Sequence, residues 1–346
     1  MRALTIDAHG GLEQLRFRDD VAEPQLTDPY SVRVRLRAAA LNHLDLFTIA
    51  GLPHVTITPP WILGADGSGV VESVGAKVRS VKPGYAVLIN PGVPCRNCEY
   101  CRAGDHPLCL KYGILGEHLP GTLAELVVVP EPNVRRIAMP GSFDVAAAYP
   151  LVTLTAWRML VTRAQVKAGD DVLIWGIGGG VAQAALQICK RFGARAWVTS
   201  SSEAKLERAR EMGADQTLLH GPGIDIGKEV RARTGKRGVD LVVDSVGQAT
   251  FAQSLGALGK RGRLVTCGGT SGPKLEMDVR RLFWNQWTIM GSTMGNDGDF
   301  AAIVDEFEAG RLTAVVDSTY PLENAREAFE RLQSGAQFGK VVVRIG

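Results

Sequence analysis

The chain has 346 residues, 45% hydrophobic and 22% charged, with 40 glycines and a formal net charge of +3. That length exceeds one ordinary core and predicts two domains. So small a charge gives no reason to expect a nucleic-acid or membrane partner, and no apolar run approaches the roughly 18 residues of a membrane span. The amino terminus, Met1-Arg2-Ala3-Leu4-Thr5-Ile6-Asp7, reads as a strand rather than a signal peptide. Together with free thiols this points to the cytoplasm.

In residues 30–38, Val32, Val34 and Leu36 alternate with Arg33, Arg35 and Arg37, as on a half-buried strand. Residues 69–74, 85–90 and 124–129 also read as strands between Gly and Pro turns. No helical periodicity appears before about residue 145. The pattern then changes. Residues 171–176 form a continuous apolar strand suited to burial on both faces, and 181–192 have helical spacing at Ala185, Ile188, Cys189 and Phe192. A strand at 194–200, a charged helix at 203–212 and strands at 240–244, 263–267 and 287–290 follow. Such alternation predicts a doubly wound parallel sheet. Helices at 299–308 and 323–333 and a strand at 340–345 close the chain. The fold class is therefore α/β. Residues 1–152 and 291–346 make a β-rich domain around an inserted dinucleotide-binding domain at 153–290.

Cys95, Cys98, Cys101 and Cys109 fall within fifteen positions, separated by two, two and seven residues. Four thiolates on one tight lobe, 91–112, complete a tetrahedral sulfur shell for Zn²⁺ and leave no open position for substrate. The expectation is one structural zinc per subunit. An iron–sulfur cluster also takes four cysteines, but its tight bacterial pattern uses a three-residue gap and a Cys-Pro. Disulfides do not suit a chain with no mark of secretion. Cys189 and Cys267 lie in apolar contexts and read as small buried hydrophobes.

After the strand at 171–176 comes Gly176-Ile177-Gly178-Gly179-Gly180-Val181-Ala182. Glycines permit a tight turn and close approach of backbone N–H groups to a pyrophosphate, and the helix amino terminus adds its dipole. The spacing fits G-x-x-G-x-x-A through Gly176, Gly179 and Ala182. At the end of the next strand an Asp or Glu would bind the ribose hydroxyls of NAD. This chain has Thr199-Ser200-Ser201-Ser202, with Lys205 near in sequence. Hydroxyls and an ammonium accommodate a 2′-phosphate, which favours NADP(H) while leaving NAD(H) possible. Ser200 and Glu203 also have capping-box spacing, so the serines could simply start the next helix.

Several motifs extend over the chain: Gly64-Ala65-Asp66-Gly67-Ser68-Gly69-Val70-Val71, Val81-Lys82-Pro83-Gly84, Ala168-Gly169-Asp170-Asp171-Val172-Leu173, Met212-Gly213-Ala214-Asp215 and Phe338-Gly339-Lys340-Val341-Val342. With the cysteine lobe and the glycine loop they resemble the medium-chain dehydrogenase/reductase superfamily over essentially the whole length. The resemblance implies a GroES-like catalytic domain, a Rossmann cofactor domain and hydride transfer. It implies homodimers or homotetramers, dimers often pairing edge strands of the cofactor domain. It also implies cofactor contacts at Gly176, Gly178, Gly179, Gly180, Val181, Ser200, Ser201, Lys205, Val246, Gly268, Gly269 and Lys340.

The zinc alcohol dehydrogenases of this superfamily bind a catalytic metal through a Cys, the His of a Gly-His-Glu motif and a third Cys or acidic residue. The matching positions here hold Asn42, Ala65 and Leu151, none of which ligates zinc in the usual way. Asn42 in Leu41-Asn42-His43-Leu44-Asp45 resembles the zinc-independent quinone and enal reductases. A rebuilt metal site would need about three convergent ligands from His43, Asp45, His54, Asp66, Glu117 and His118. The expected catalytic residues are Asn42, His43 and Thr153, facing charge that develops on a substrate oxygen. The expected activity is NADPH-dependent reduction of a quinone or an α,β-unsaturated carbonyl, a small-molecule substrate. An alcohol dehydrogenase is the alternative. A cofactor-binding sensor is a third reading, since Arg231, Arg233, Lys236 and Arg237 could touch nucleic acid; the simpler reading of that run is a solvated helix end and turn.

Overall fold

The computed structural model describes residues 1–53, 55–138 and 141–346; His54 lies outside them. The chain divides into two compact units, Met1–Val152 with Gly295–Gly346, and Thr153–Met294.

The first unit is built on Ser31–Ala40, which pairs antiparallel with Asp66–Val74, Leu126–Pro130 and Lys340–Arg344. Val32, Val34 and Leu36 enter the core with Val71, Val127, Val341 and Val343. Arg33 and Arg35 point the other way, and both pair with Glu72 on the neighbouring strand. The two-residue period thus sorts the strand into a core face and a charged face. Strand Lys340–Arg344 comes from the far end of the sequence, which makes the domain discontinuous.

Sequence periodicity missed the helix His43–Ala50. It has only eight residues, too few to repeat an apolar face. Its start is nonetheless encoded, because the Asn42 N–H donates to the Asp45 carboxylate at 2.7 Å, as in a capping box.

Strand Lys340–Arg344 begins just after Gly339, whose φ is +116° and whose missing Cβ would lie 2.4 Å from the carbonyl oxygen of Val315. Neither the backbone angle nor the space admits a side chain. Gly339→Ala should therefore cost more than about 2 kcal/mol, read as a lowered denaturation midpoint; unchanged stability would contradict the packing.

The cysteine lobe is closed by the antiparallel pair Gly92–Val93 and Gly113–Ile114. It is fastened to the start of helix Asp297–Glu308. Arg96 pairs with Asp297 at 2.6 Å, Asn296 Nδ2 donates to Gly104 O at 3.0 Å, and the Asp297 N–H donates to His106 Nδ1 at 3.3 Å.

The second unit is a six-stranded sheet in the order Gln216–Leu219, Arg195–Ser200, Asp171–Ile174, Val239–Asp244, Leu258–Thr266, Thr288–Gly291. Every pairing in it is parallel. The chain starts in the middle, winds outward one way and then returns to wind the other way. This is the doubly wound pattern, with a switch point beside Asp171–Ile174. All four residues of that strand are buried, as its apolar run implies. Helix Gly180–Arg191 lays Ala182, Ala185, Leu186, Ile188 and Cys189 inward. Cys189 is fully buried, but Cys267 lies just past the end of its strand and is only half-buried.

Strand Gln216–Leu219 and helices Ile226–Arg233, Phe251–Ala257 and Val279–Asn285 were not anticipated. Each is short, so neither period repeats enough to stand out. The basic run falls at the end of one of them. Arg231 donates to the carbonyls of Gly256, Lys236 and Leu258, and Arg237 pairs with Asp171 and Asp240. These guanidiniums tie the helix end to neighbouring strands. No helix among the described residues is long and apolar enough to cross a membrane.

Candidate functional site

In the second unit the chemistry gathers at the carboxyl ends of the strands. Gly176 has φ +71°, a left-handed turn that reverses the chain out of Asp171–Ile174. Its N–H donates to Thr199 Oγ1 at 3.1 Å, and the Ile177 N–H donates to Thr199 O at 2.9 Å, so the next strand's end holds the loop. Gly179 caps helix Gly180–Arg191, whose first intrahelical bond is Gln183 N–H to Gly179 O at 3.1 Å. The amides of Gly180, Val181 and Ala182 precede that bond. They leave unpaired N–H groups at a helix terminus beside the switch point, a geometry suited to an anion, with Gly178 in the same loop.

The loop after Val239–Asp244 is fixed from below. Asp244, 1% exposed, accepts from the N–H groups of Val246 and Gly247 and from the hydroxyls of Thr250 and Ser254. Ser271 donates its N–H and its hydroxyl to Val246 O, which ties this loop to the one carrying Gly268 and Gly269. Four of the expected cofactor-contact regions, at 176–181, 200–205, 246 and 268–269, thus lie at strand ends on one side of one sheet. The serine cluster is resolved further: Ser202, not Ser200, caps helix Glu203–Glu211, its Oγ accepting from the Lys205 N–H. Ser200 is buried and its Oγ accepts from the Ser202 N–H at 3.1 Å, whereas Ser201 is exposed.

At the opposite, amino-terminal edge of the sheet lies a groove of about 630 Å³ lined by Asp171, Arg195, Arg237, Asp240 and others. Its charges are mutually engaged, Arg195 and Arg237 both pairing with the buried Asp171. Ligands in doubly wound sheets bind at the carboxyl ends, so the groove's size does not make it the active site.

In the first unit the residues brought together are Asn42, Asp45, Asp66 and Lys340. Asp66 is 0% exposed, and Lys340 is 4% exposed. Lys340 Nζ donates to Asn42 Oδ1 at 2.5 Å and to Asp66 Oδ2 at 3.0 Å. Asn42 Nδ2 donates to Asp66 Oδ2 at 3.0 Å and to Ala40 O at 3.3 Å. Asp66 Oδ1 accepts from the Leu151 N–H at 2.8 Å. Positions 42, 65 and 151, which match the catalytic zinc ligands of the zinc alcohol dehydrogenases, thus lie around a buried ion pair. Asp45 caps its helix and also accepts from the Gly64 N–H at 3.1 Å; burial pushes its pKa up to about 7.

One expectation changes here: Asn42 has both amide hydrogens engaged, so it has no spare donor for a substrate oxygen. Lys340, expected as a cofactor contact, gives two of its three ammonium hydrogens to Asn42 and Asp66, strand Lys340–Arg344 running beside Ser31–Ala40. His43 presents exposed surface, yet crowding protein, and secondarily the Lys340 charge, hold its pKa below the ordinary histidine range. Thr153 is buried at the start of the second unit. His118 lies 3.6 Å from Glu117 and Glu117 is buried.

Among the described residues, the one group of three or more His, Cys, Asp or Glu side chains able to hold a metal is Cys95, Cys98, Cys101 and Cys109, with sulfurs within 4.8 Å of one another. A Zn–S bond of about 2.3 Å sets a tetrahedral edge of about 3.8 Å. The Cys95–Cys101 and Cys98–Cys101 separations are 3.9 and 3.5 Å. Backbone N–H groups already point at the sulfurs: those of Cys95 and Lys111 donate to Cys109 Sγ, and those of Cys101 and Leu110 bring the Cys98 thiol down to about 6. Burial meanwhile pushes Cys101 up to about 12. Four thiolates can coexist here only around a cation, and the residues present fit zinc. No comparable set forms from His43, Asp45, Asp66, Glu117 and His118.

Residues 28–139 match the alcohol dehydrogenase GroES-like domain and residues 180–309 the zinc-binding dehydrogenase domain. A zinc-type alcohol dehydrogenase-like protein of Schizosaccharomyces pombe is 32% identical over 100% of this chain and 99% of its own. The quinone oxidoreductase of Lama guanicoe is 29% identical over 99% of this chain and 97% of its own. The crystal structure of an NAD-dependent alcohol dehydrogenase superposes with a TM-score of 0.95 at 45% identity, covering 100% of both chains. With both domain types in place, a parallel doubly wound sheet and full-length relatives, the chain belongs to the medium-chain dehydrogenase/reductase superfamily and is an oxidoreductase.

Proposed function

We propose that the protein transfers hydride from NADPH to a quinone or an α,β-unsaturated carbonyl without a metal ion at the reacting centre. The observation that carries this reading is the identity of positions 42, 65 and 151. Asn, Ala and Leu offer no zinc shell, and Asp66 and Lys340 occupy their surroundings as an ion pair. Hydride delivery to a simple carbonyl benefits strongly from a Lewis acid. Quinones and activated alkenes spread the incoming charge onto oxygen, where hydrogen-bond donors suffice. The quinone oxidoreductase relative supports this acceptor class. The protein's part is to align donor and acceptor and exclude water.

Cys95, Cys98, Cys101 and Cys109 would hold one zinc, which stabilises the lobe at 91–112. The NADP(H) preference rests on Ser200 and Ser201 at the end of Arg195–Ser200, where no carboxylate stands. Ser201→Asp should shift preference toward NADH by about 10- to 100-fold in kcat/KM through charge repulsion and ribose binding. An unmodified enzyme that strongly prefers NADH would overturn the preference.

A second reading, alcohol oxidation with NAD, is favoured by the name of the 45%-identical structural neighbour. A screen of quinones, enones, aldehydes and alcohols with both nicotinamides separates the two. Turnover of simple alcohols alone would exclude the first.

Val279, Phe283 and Trp284, 61%, 62% and 77% exposed, make an apolar patch on helix Val279–Asn285, close in sequence to edge strand Thr288–Gly291. Exposed aromatics beside an open strand edge suit a contact with a second copy of the chain, in keeping with a homodimer or homotetramer. The cytoplasm remains the compartment that suits free cysteines and a zinc thiolate site.

A further inference from the structure

The sulfurs of Cys98 and Cys101 lie 3.5 Å apart, nearer than the 3.9 Å between those of Cys95 and Cys101. The two differ in access: Cys98 is half-buried and Cys101 is buried. Cys98 caps the single turn Glu99–Arg102, and Cys101 is the third residue of that turn. The Arg102 N–H donates to Cys98 O at 3.0 Å and closes it. A disulfide draws its sulfurs to about 2.05 Å, so this pair is about 1.5 Å short of a bond. Cys109 is held differently, its sulfur accepting from the N–H groups of Cys95 and Lys111. Arg96, between Cys95 and Cys98, has φ +62°, in the left-handed region that residues with a side chain seldom occupy. Its guanidinium pairs with Asp297 at 2.6 Å. One of the contacts that fasten the lobe to helix Asp297–Glu308 therefore starts between two of the cysteines. That helix begins just after the chain returns to the first unit at Gly295.

We propose that Cys98 and Cys101 form a peroxide-sensitive switch: hydrogen peroxide links them as a disulfide, and the lobe gives up its zinc and its hold on helix Asp297–Glu308. The inference rests on the zinc reading above. Zinc keeps the sulfurs as thiolates, the nucleophilic form. The half-buried Cys98 sulfur attacks peroxide with a lone pair. An S–O bond forms, the O–O bond breaks and hydroxide leaves, which gives the sulfenic acid. The Cys101 thiolate then attacks Cys98 Sγ. An S–S bond forms, the S–O bond breaks and a second hydroxide leaves. Two thiolates have lost two electrons, and both peroxide oxygens end as hydroxide, which the buffer neutralises. The disulfide offers no thiolate, so Cys95 and Cys109 alone are left, and two ligands do not make a closed shell. With the shell open, nothing holds Arg96 in its left-handed conformation, and its grip on Asp297 loosens. A dithiol reductant reverses the link by thiol–disulfide exchange. Disulfides that form in a reducing compartment are usually transient and redox-sensing, which suits a pair that zinc otherwise keeps apart.

The test treats the unmodified, full-length enzyme with hydrogen peroxide. Zinc release is read with a chromogenic chelator, linked cysteines by peptide mass mapping after alkylation, and the helix start by amide hydrogen exchange. Zinc should fall from one equivalent per chain to less than about a tenth of that. Cys98–Cys101 should be the main linked pair, and the fully buried Cys189 should stay a thiol. Exchange over residues 295–300 should speed up about 10-fold, and dithiothreitol with added zinc should restore the starting state. Zinc retained in excess peroxide, zinc lost with Cys98 and Cys101 unlinked, or unchanged exchange in the disulfide form overturns the inference. An enzyme isolated without zinc overturns the zinc reading instead; a Cys98–Cys101 link on that chain still upholds the disulfide step, and no link overturns it.

Discussion

If Cys95, Cys98, Cys101 and Cys109 hold zinc as proposed, Cys101→Ser should release it and destabilise the first unit. Cys101 is buried, and its sulfur lies 3.5 Å from that of Cys98 and 3.9 Å from that of Cys95. Removing one of four thiolates leaves three, with a weakly coordinating hydroxyl in the fourth place. The metal contribution is large: structural zinc supplies about 10–16 kcal/mol of apparent binding free energy in small zinc-dependent folds. The lobe has little else. Its hydrogen-bonded secondary structure is a two-strand ladder and two single helical turns. The damage should also travel. Arg96, Gly104 and His106 hold Asn296 and Asp297 at the start of helix Asp297–Glu308, so loosening the lobe removes those contacts. Metal analysis should show zinc falling from one equivalent per chain to nearly none. Limited proteolysis should cut between Pro91 and Tyr112. A variant that keeps both its zinc and its resistance to protease would contradict the proposed four-sulfur centre.

The second large effect belongs to Asp66→Ala. Asp66 has no exposed surface and receives the Lys340 ammonium, the Asn42 amide and the Leu151 N–H. Alanine strands a buried cation and two donors at once. Removing one partner of a buried ion pair costs roughly 3–5 kcal/mol. The Leu151 N–H adds to this, since it belongs to the first turn of helix Pro150–Trp157. Paired with Lys340→Met in a double-mutant cycle, the combined loss should be smaller than the sum, because the second change removes the stranded charge. Denaturant midpoints would show this. Additive losses would mean that the two charges do not interact.

Much of the fold is legible in the sequence because its strands obey simple patterns. The alternation at Val32, Val34 and Leu36, the apolar run at 171–174 and the glycines at 176–180 each report one local physical demand. The elements that escape notice are short, such as His43–Ala50, or lie between turn-rich stretches, such as Gln216–Leu219. The cysteine set is equally legible, since all its ligands sit on one loop. The buried cluster is not. Asn42 and Asp66 stand 24 residues apart, and Lys340 lies 298 residues from Asn42. Only the return of the carboxyl-terminal strand to Ser31–Ala40 joins them. No local spacing announces that contact. A signal was present nonetheless: Asp66 and Lys340 are charged residues within otherwise apolar or small-residue strand motifs, where a charge requires a partner.

The account's central claim is that zinc here builds the fold while the reacting centre uses side chains alone. The most direct measurement is zinc-edge X-ray absorption, with a zinc count, on enzyme shown to be turning over a quinone or enone with a nicotinamide. The account predicts one zinc per chain surrounded by four sulfurs. Two zincs per chain, the second ligated by nitrogen or oxygen and rising and falling with activity, would contradict it.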